Sequence, residues 1–203
     1  MFQESAPLLP PGALRTGYST AKAALFHETM RRTYLGEEIV TVFPAGVYGP
    51  GAFVERALHP TSFDSTIRAG IVGELEEYLA MPMMWVYVDD VAEVCLRALE
   101  RGERGARYLA FGRPDEVISL PELCNRAATL ARTPHRVRDA DPYREGSAFG
   151  SMISFLERRM ADPPFDPGGT SRELDYEFTP LAEGLAATVE WLRSEGQIRE
   201  TDR

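Results

Sequence analysis

The chain has 203 residues, of which 44% are hydrophobic and 26% are charged, as in an ordinary globular protein with a sizeable core. Its formal net charge of −9 leaves no basic surplus to neutralise phosphates, which argues against nucleic-acid binding. No apolar run is long enough to span a bilayer, and no signal peptide is visible at the start. We therefore predict a cytoplasmic protein without membrane or nucleic-acid partners. Cys95 and Cys124 are too few for a disulfide framework and are predicted to be buried thiols.

The first predicted helix begins near Gly17 and ends at Leu35, where Gly36 provides a stop. Its interior lacks glycine and proline. An apolar stripe at three- and four-residue spacing is predicted to be its buried face, and the stripe comprises Ala21, Ala24, Leu25, Thr29 and Met30.

A β-branched run at 38–43 follows and is predicted to be a strand that halts at Pro44. A helix that leads directly into an apolar strand is half of a βαβ unit, so a buried parallel sheet is the expected setting. The loop 44–51 comes next, then a helix around 62–70 and a short strand at 85–88.

The second half of the chain continues this alternation. Asp89 and Asp90 are predicted to cap a helix at 91–100, and a strand is predicted at 108–111. The Ser119–Glu122 capping box opens a helix that runs to about residue 132. A polar, exposed stretch is expected at 136–143, and a further helix at 147–160.

The last predicted helix opens at Thr179-Pro180 and ends at Gly196. Its expected buried face consists of Leu181, Leu185, Thr188, Val189 and Leu192. No clean linker separates two domains. The predicted fold class is α/β, with part of a Rossmann-like parallel sheet interwoven with a small, mostly helical lobe.

Tyr18 and Lys22 lie four residues apart in the first turns of the first helix, hence on one face and about 6 Å apart at Cβ. A tyrosine hydroxyl is ordinarily protonated at neutral pH, and a nearby ammonium and the helix N-terminus both stabilise its phenolate. The pair can therefore act as a general acid/base toward a carbonyl or carbinol oxygen. Of the 22 basic residues, Lys22 is the one lysine, and arginine cannot replace lysine in a proton relay.

The segment 17–23, Gly-Tyr-Ser-Thr-Ala-Lys-Ala, resembles the Tyr-x-x-x-Lys segment of the extended short-chain dehydrogenase/reductases, which include the NAD-dependent epimerase/dehydratases and the dihydroflavonol-reductase-like enzymes. Further segments resemble that family in the same order along nearly the whole chain: the strand and proline-led loop at 42–51, Trp-Val-Tyr-Val-Asp-Asp-Val-Ala at 85–92, the strand at 105–112, and the closing element at 171–192.

The resemblance implies a fold, an activity and a cofactor. Residues 1–52 would be the remnant of an NAD(P)-binding Rossmann-like domain, and 53–203 mainly a substrate lobe, with 85–112 returning to the core sheet. Tyr18 would be the catalytic acid/base, and Lys22 its activator and a ribose ligand. Pro44, Ala45, Gly46 and Val47 would form part of the nicotinamide wall. The cofactor would be NADP or NAD, the substrate a small-molecule carbonyl or nucleotide-sugar-like compound, and the family allows a homodimer.

The chain departs from this family in the part that should hold the pyrophosphate. No strand followed by a Gly-rich turn occurs in the 203 residues, and the glycines at 46–51 have the wrong order and include Pro50. The family's catalytic serine or threonine upstream of the tyrosine has no match, since Ser5 lies in a loop beyond that position. We therefore expect the isolated chain to be nearly inactive.

Three hypotheses remain open: part of a complete NAD(P)-dependent reductase or epimerase, a non-catalytic interaction module, or a decaying remnant. Other site types fit poorly. His27, His59 and His135 are far apart without metal-ligand spacing, and no Gly-x-Ser-x-Gly segment marks a hydrolase.

Overall fold

The structure, a computed structural model, describes residues 17–141 and 168–199. These residues form seven helices and six short strands. The helices are α1 (Gly17–Tyr34), α2 (Val54–Ala57), α3 (Phe63–Val72), α4 (Val88–Arg101), α5 (Leu120–Leu130), α6 (Gly168–Leu174) and α7 (Leu181–Ser194). The strands are β1 (Thr41–Pro44), β2 (Gly46–Tyr48), β3 (Glu77–Leu79), β4 (Trp85–Tyr87), β5 (Arg107–Ala110) and β6 (Arg138–Ala140).

All three strand pairs in the described residues are parallel. β1 pairs with β5, β2 with β4, and β3 with β6. Parallel strands need crossover connections, and helices contribute to them here, as α2 and α3 do between β2 and β4. The predicted α/β class with parallel strands is confirmed.

One nearly continuous strand, 41–48, serves two of these pairs and changes partner at Ala45. The Ala45 amide donates to the carbonyl of Ala110 at 3.0 Å, and the next amide, of Gly46, donates to the carbonyl of Met84 at 3.2 Å. Position 46 has no room for a side chain, since an added Cβ would lie 2.8 Å from the Trp85 ring. The carboxyl half of this strand is therefore fixed against β4.

Two clusters of buried apolar side chains pack the helices against the strands. The larger lies around α3, α5 and α7, and its largest fully buried side chains are Tyr48, Ile67, Ile71, Leu120, Leu123, Leu185, Leu192 and Val189. The smaller lies around β1, β5 and α4, with Val86, Val94, Ala98, Tyr108, Ala110, Leu174 and Phe178 buried. Several of its strand neighbours, such as Val40 and Val42, are only half-buried.

The predicted buried face of the last helix is confirmed. All five of its residues are buried in α7, because that face packs against α5 and β4. Gly184 lies on the same side of α7. A Cβ there would be 2.3 Å from the Tyr48 hydroxyl, so glycine allows the helix to approach β2 closely.

The predicted capping role of Asp89 and Asp90 is wrong. α4 begins at Val88, its N-cap is Tyr87, and no side chain caps it. Asp90 is 1% exposed and instead accepts hydrogen bonds from the Tyr176 hydroxyl at 2.7 Å, the Thr179 amide at 3.0 Å and the Thr179 hydroxyl at 2.7 Å. Because these partners lie 86 to 89 residues away, they leave no local signal in the sequence.

The bounds predicted for α1 are confirmed to within a residue, but its predicted buried face is wrong apart from Thr29. The half-buried residues of α1 with a common face are Ala23, Phe26, Thr29 and Thr33. Leu25 is 62% exposed and Met30 is 40% exposed. Aromatic and threonine side chains therefore face the sheet, and the alanine-rich side faces outward.

The remaining predictions concern the stretch 136–143, the two cysteines and the helix at 147–160. The stretch expected to be exposed at 136–143 is mostly exposed over its described residues, 136–141, although Val137 is buried and β6 lies within it. Cys95 is exposed, contrary to expectation, whereas Cys124 is buried as expected. Burial raises the pKa of the Cys124 thiol to about 12. The helix predicted at 147–160 lies outside the described residues. Among the described helices, none combines the length and the apolar character needed to cross a membrane.

Candidate active site

The direction of α1 decides where Tyr18 and Lys22 lie. Near the end of α1, Thr33 packs against Gly105, in the turn that leads into β5. In its middle, the Phe26 ring lies 5.6 Å from the ring of Phe43, near the carboxyl end of β1. The helix therefore runs opposite to the strands, and its first turns extend beyond their carboxyl ends.

Tyr18 precedes Phe26 by eight residues, or about 12 Å along a helix axis. The tyrosine is 74% exposed. The Lys22 ammonium lies 5.5 Å from the centroid of the Tyr18 ring, so the two side chains are neighbours as their spacing predicts. The edge they overhang, at the carboxyl ends of parallel strands, is where open α/β sheets bind their ligands.

The predicted wall residues follow β1 at the same edge. Pro44 ends β1 and is exposed, while Ala45 and Val47 are half-buried. Gly46 is buried against Trp85. The four residues are thus held by main-chain pairing to β5 and β4, which leaves Pro44 and part of Val47 accessible.

A buried carboxyl group that sequence reasoning missed supports the end of this wall. Asp64, in the first turn of α3, is 7% exposed, and its Oδ1 accepts a hydrogen bond of 2.9 Å from the Gly49 amide. Burial raises the pKa of Asp64 to about 6, and the hydrogen bond from Gly49 offsets part of that shift. Gly49 has a φ of +128°, and an added Cβ would lie 2.8 Å from Tyr87 and Val88, so the chain turns tightly here.

Tyr48 lies between the wall and α7. It is 1% exposed, and its ring lies 5.8 Å from that of Tyr87. Burial raises the pKa of Tyr48 far above its usual value, and Asp90, Glu116 and Asp64 add to the shift. Because its ring packs on Tyr87 and its hydroxyl lies against Gly184 of α7, Tyr48 is a packing residue of this junction.

The segment that leads into α7 is tied down from α4 and from the loop before α5. Asp90 binds Tyr176 and Thr179, as described above, and the Leu181 amide donates to Glu116 Oε2 at 2.8 Å. Arg97 donates to the carbonyls of Leu174 and Asp175. Burial, followed by the hydrogen bond to Asp90, raises the pKa of Tyr176. In the sequence, the only sign of these contacts is the acidic pair at 89–90.

A dinucleotide fits this edge in part. A tyrosine hydroxyl and a lysine ammonium can donate hydrogen bonds to a ribose and to a reacting oxygen, and residues 44–47 lie toward the same edge of the sheet. A pyrophosphate needs a Gly-rich turn at a helix N-terminus, and the sequence contains no such turn. The residues present thus suit the nicotinamide half of such a ligand. Within residues 17–141 and 168–199, no group of three potential metal-ligating side chains occurs.

Comparisons with known proteins agree with this geometry. A family model described as "NAD dependent epimerase/dehydratase family" matches residues 2–111, which is more than half of the chain. The crystal structure of a nucleoside-diphosphate-sugar epimerase from Pseudomonas aeruginosa has a TM-score of 0.73 and 22% identity, and the match covers 98% of this chain and 62% of that one. At that identity the likeness concerns the fold.

Two curated relatives extend the comparison. A "Sterol demethylase protein B" of Methylococcus capsulatus is 27% identical over 200 residues, which cover 90% of this chain and 58% of the relative. A dTDP-4-dehydro-6-deoxy-D-allose reductase of Streptomyces bikiniensis is 26% identical over 166 residues, which cover 81% of this chain and 46% of the relative. The chain thus spans about half the length of these relatives. Its sequence, its parallel α/β fold and the family match together show that the chain belongs to the NAD-dependent epimerase/dehydratase family.

Proposed function

We propose that this chain is the acid/base and substrate-lobe part of an NAD(P)-dependent reductase or epimerase. The observation that carries this proposal is the position of Tyr18 and Lys22 beyond the carboxyl ends of β1 and β5, beside the wall 44–47. Residues 1–52 and the returning segment 85–112 would belong to the dinucleotide-binding domain, and most of 53–203 to the substrate lobe.

Each residue has a defined task in this proposal. Tyr18 donates its phenolic proton to a carbonyl oxygen of the substrate during reduction, or removes the proton of a carbinol during oxidation. Lys22 stabilises the resulting phenolate and donates a hydrogen bond to a ribose hydroxyl of the coenzyme. Pro44 to Val47 support one face of the nicotinamide. The coenzyme, when bound, supplies or accepts the hydride.

The exposure of Tyr18 explains why the 203 residues alone should be a poor enzyme. General acid/base catalysis contributes most when water is excluded and the reacting oxygen is held by further donors. Tyr18 is 74% exposed, and the sequence has no Gly-rich turn to bind a pyrophosphate. We therefore expect NADPH and NADH to bind this chain with dissociation constants weaker than about 1 mM. The substrate would be a carbonyl compound, small or attached to a nucleotide, and a homodimer is compatible with the family.

Lys22 offers a direct test because it is the one lysine of the chain. Lysine labelled with ¹³C at Cε gives a single side-chain NMR signal, which reports this site without interference. We expect reduced nicotinamide mononucleotide to shift that signal at millimolar concentrations, and ADP not to shift it. Tyr18→Phe should weaken the shift because it removes the ring hydroxyl at the same site.

Two outcomes would count against the proposal. If ADP shifts the Lys22 signal as much as the nicotinamide nucleotide does, the site binds phosphate and has no nicotinamide wall. If neither shifts it up to about 20 mM, the pair does not bind a coenzyme, and the interaction-module hypothesis gains support. Quenching of Trp85 and Trp191 by NADPH at micromolar concentration would instead show that a phosphate cradle exists in a form that the sequence does not reveal.

A further inference from the structure

A second concave site lies at the other end of α3 from Asp64. It is a crevice of about 640 Å³, within the size range of small-molecule sites. Three separate parts of the chain form its walls: the end of α3 with the turn to residue 74, the turn at 133–135 after α5, and the segment 196–199 after α7. None of these residues belongs to the proposed coenzyme site.

The floor of the crevice is aliphatic. Ile71 is fully buried, Ile198 is 6% exposed, and Val72 is half-buried. Ile71 and Ile198 are part of the larger apolar cluster, so the floor is fixed by the packing of α3, α5 and α7. The accessible part of this floor, Val72 and the edge of Ile198, can bury the hydrocarbon part of a ligand.

The rim carries hydrogen-bond donors of positive charge. The Arg68 guanidinium binds the Glu74 carboxylate with both nitrogens, at 2.6 and 3.1 Å. Arg199 is exposed and forms no ion pair with any residue in the described ranges. The His135 ring packs over Gly73, where an added Cβ would lie 2.6 Å from Nδ1, so the ring is held at the edge of the crevice.

The charge of this rim contrasts with the rest of the protein. Among the described residues that line the crevice there are two arginines and one glutamate, a surplus of one positive charge in a chain whose net charge is −9. A guanidinium fork matches a carboxylate in geometry, as the contact between Arg68 and Glu74 already shows. A ligand with one negative charge would neutralise the surplus, whereas a dianion would also be repelled by Glu74.

We propose that this crevice binds a small organic monoanion, namely a carboxylate with an aliphatic body. The carboxylate contacts Arg199, beside the Arg68–Glu74 ion pair, and the aliphatic body lies on Val72 and the exposed part of Ile198. The site goes beyond the proposed oxidoreductase function and does not depend on it.

The test uses hexanoate, its neutral analogue hexanamide, and inorganic phosphate, titrated into the whole chain labelled at the isoleucine methyl groups. We expect hexanoate to shift the Ile71 and Ile198 signals in a saturable way, and hexanamide to bind at least tenfold more weakly, since it lacks the charge. Phosphate should give no saturable shift because it has no aliphatic body. Arg199→Gln should weaken hexanoate binding by about tenfold.

A matched control variant is Arg104→Gln, because Arg104 is also exposed but lies in the turn before β5, with its nearest acidic partner, Glu38, at 3.9 Å. This variant should bind hexanoate as the parent does. Equal binding of hexanoate and hexanamide, an unchanged affinity in Arg199→Gln, or a saturable response to phosphate of equal strength would each overturn the proposal. Unchanged methyl signals of core isoleucines distant in sequence from residue 199, such as Ile67 and Ile118, establish that both variants are folded, and the readout does not involve a coenzyme.

Discussion

Two parts of the molecule near the carboxyl end of the strand 41–48 differ sharply in how far they are buried. Tyr18 and Lys22, in the first turns of α1, are exposed. The junction of β2 with α7, which comprises Tyr48, Gly49, Asp64, Asp90 and Gly184, is buried and tied by hydrogen bonds. The residues proposed for catalysis and the residues that stabilise the fold are therefore different. Substitutions in the buried junction should lower the free energy of unfolding, and substitutions of Tyr18 should affect catalysis.

The largest effect on stability is expected for Asp90→Ala, in the buried junction. The substitution leaves the Tyr176 hydroxyl and both donors of Thr179 without their acceptor. We expect the free energy of unfolding to fall by about 2–4 kcal/mol, measured by urea denaturation.

Asp89→Ala is the matched control, because Asp89 is the exposed neighbour in the same turn of α4. It should cost about 0.3–1 kcal/mol, the size of a carboxylate interaction with a helix N-terminus. Equal losses in the two variants would mean that Asp90 acts only through the helix, and that the anchor of α7 contributes little.

A smaller and pH-dependent effect is expected for Asp64→Asn. The pKa of Asp64 is about 6 in the folded protein and 3.8 for the free side chain, so the folded state holds more protons between these values. The free energy of unfolding therefore falls as the pH rises from about 4 to 6, and this loss persists at higher pH. Asparagine removes the loss, which amounts to roughly 1–3 kcal/mol, while it keeps an acceptor for Gly49.

The measurement is a series of urea unfolding curves between pH 4 and 8 for the parent and the variant. The stability difference should move in favour of the variant as the pH rises. Asp139→Asn, at an exposed site on β6, serves as the control and should leave the profile of the parent unchanged. A parallel pair of profiles for the parent and Asp64→Asn would show that Asp64 is not the titrating group.

The smallest effect on stability is expected for a substitution of Tyr18, in the exposed first turns of α1. Tyr18→Phe should change the free energy of unfolding by no more than about 0.5 kcal/mol, since the side chain is 74% exposed. In a complete, active enzyme the same change should lower kcat by about 10²–10⁴-fold, the usual contribution of a general acid/base. A loss of stability comparable to that of Asp90→Ala would contradict the separation of the two regions.

Local signals in the sequence predicted much of the fold. Gly36, at a φ of +103°, ends α1 where a stop was expected, and Ser119 accepts from the Glu122 amide at 3.2 Å as half of the predicted capping box. The wrong predictions concern residues whose contacts lie far away in the sequence. Asp90 looks like a cap because its true partners lie in another part of the chain, and β6 has no β-branched residue to announce it.

Only the part of the candidate site that forms a short sequence motif could be predicted from the sequence. The spacing of Tyr18 and Lys22 gave a pair of neighbours, and the structure has them as neighbours. Asp64 could not be found in this way, because a carboxylate in a first helical turn is usually solvated, and only the fold brings it to Gly49. The crevice at Arg68 and Arg199 likewise joins segments more than a hundred residues apart.

The change of partner at Ala45 has a consequence for how the length of this chain can vary through evolution. Side chains alternate between the two faces of a strand, so one residue gained or lost at position 45 would leave Thr41–Pro44 in place and turn Gly46–Tyr48 over. Tyr48 would then leave the apolar cluster, and a larger side chain would meet the Trp85 ring. Insertions and deletions should therefore accumulate in surface turns such as 103–105 and spare this strand, whatever substitutions it accepts.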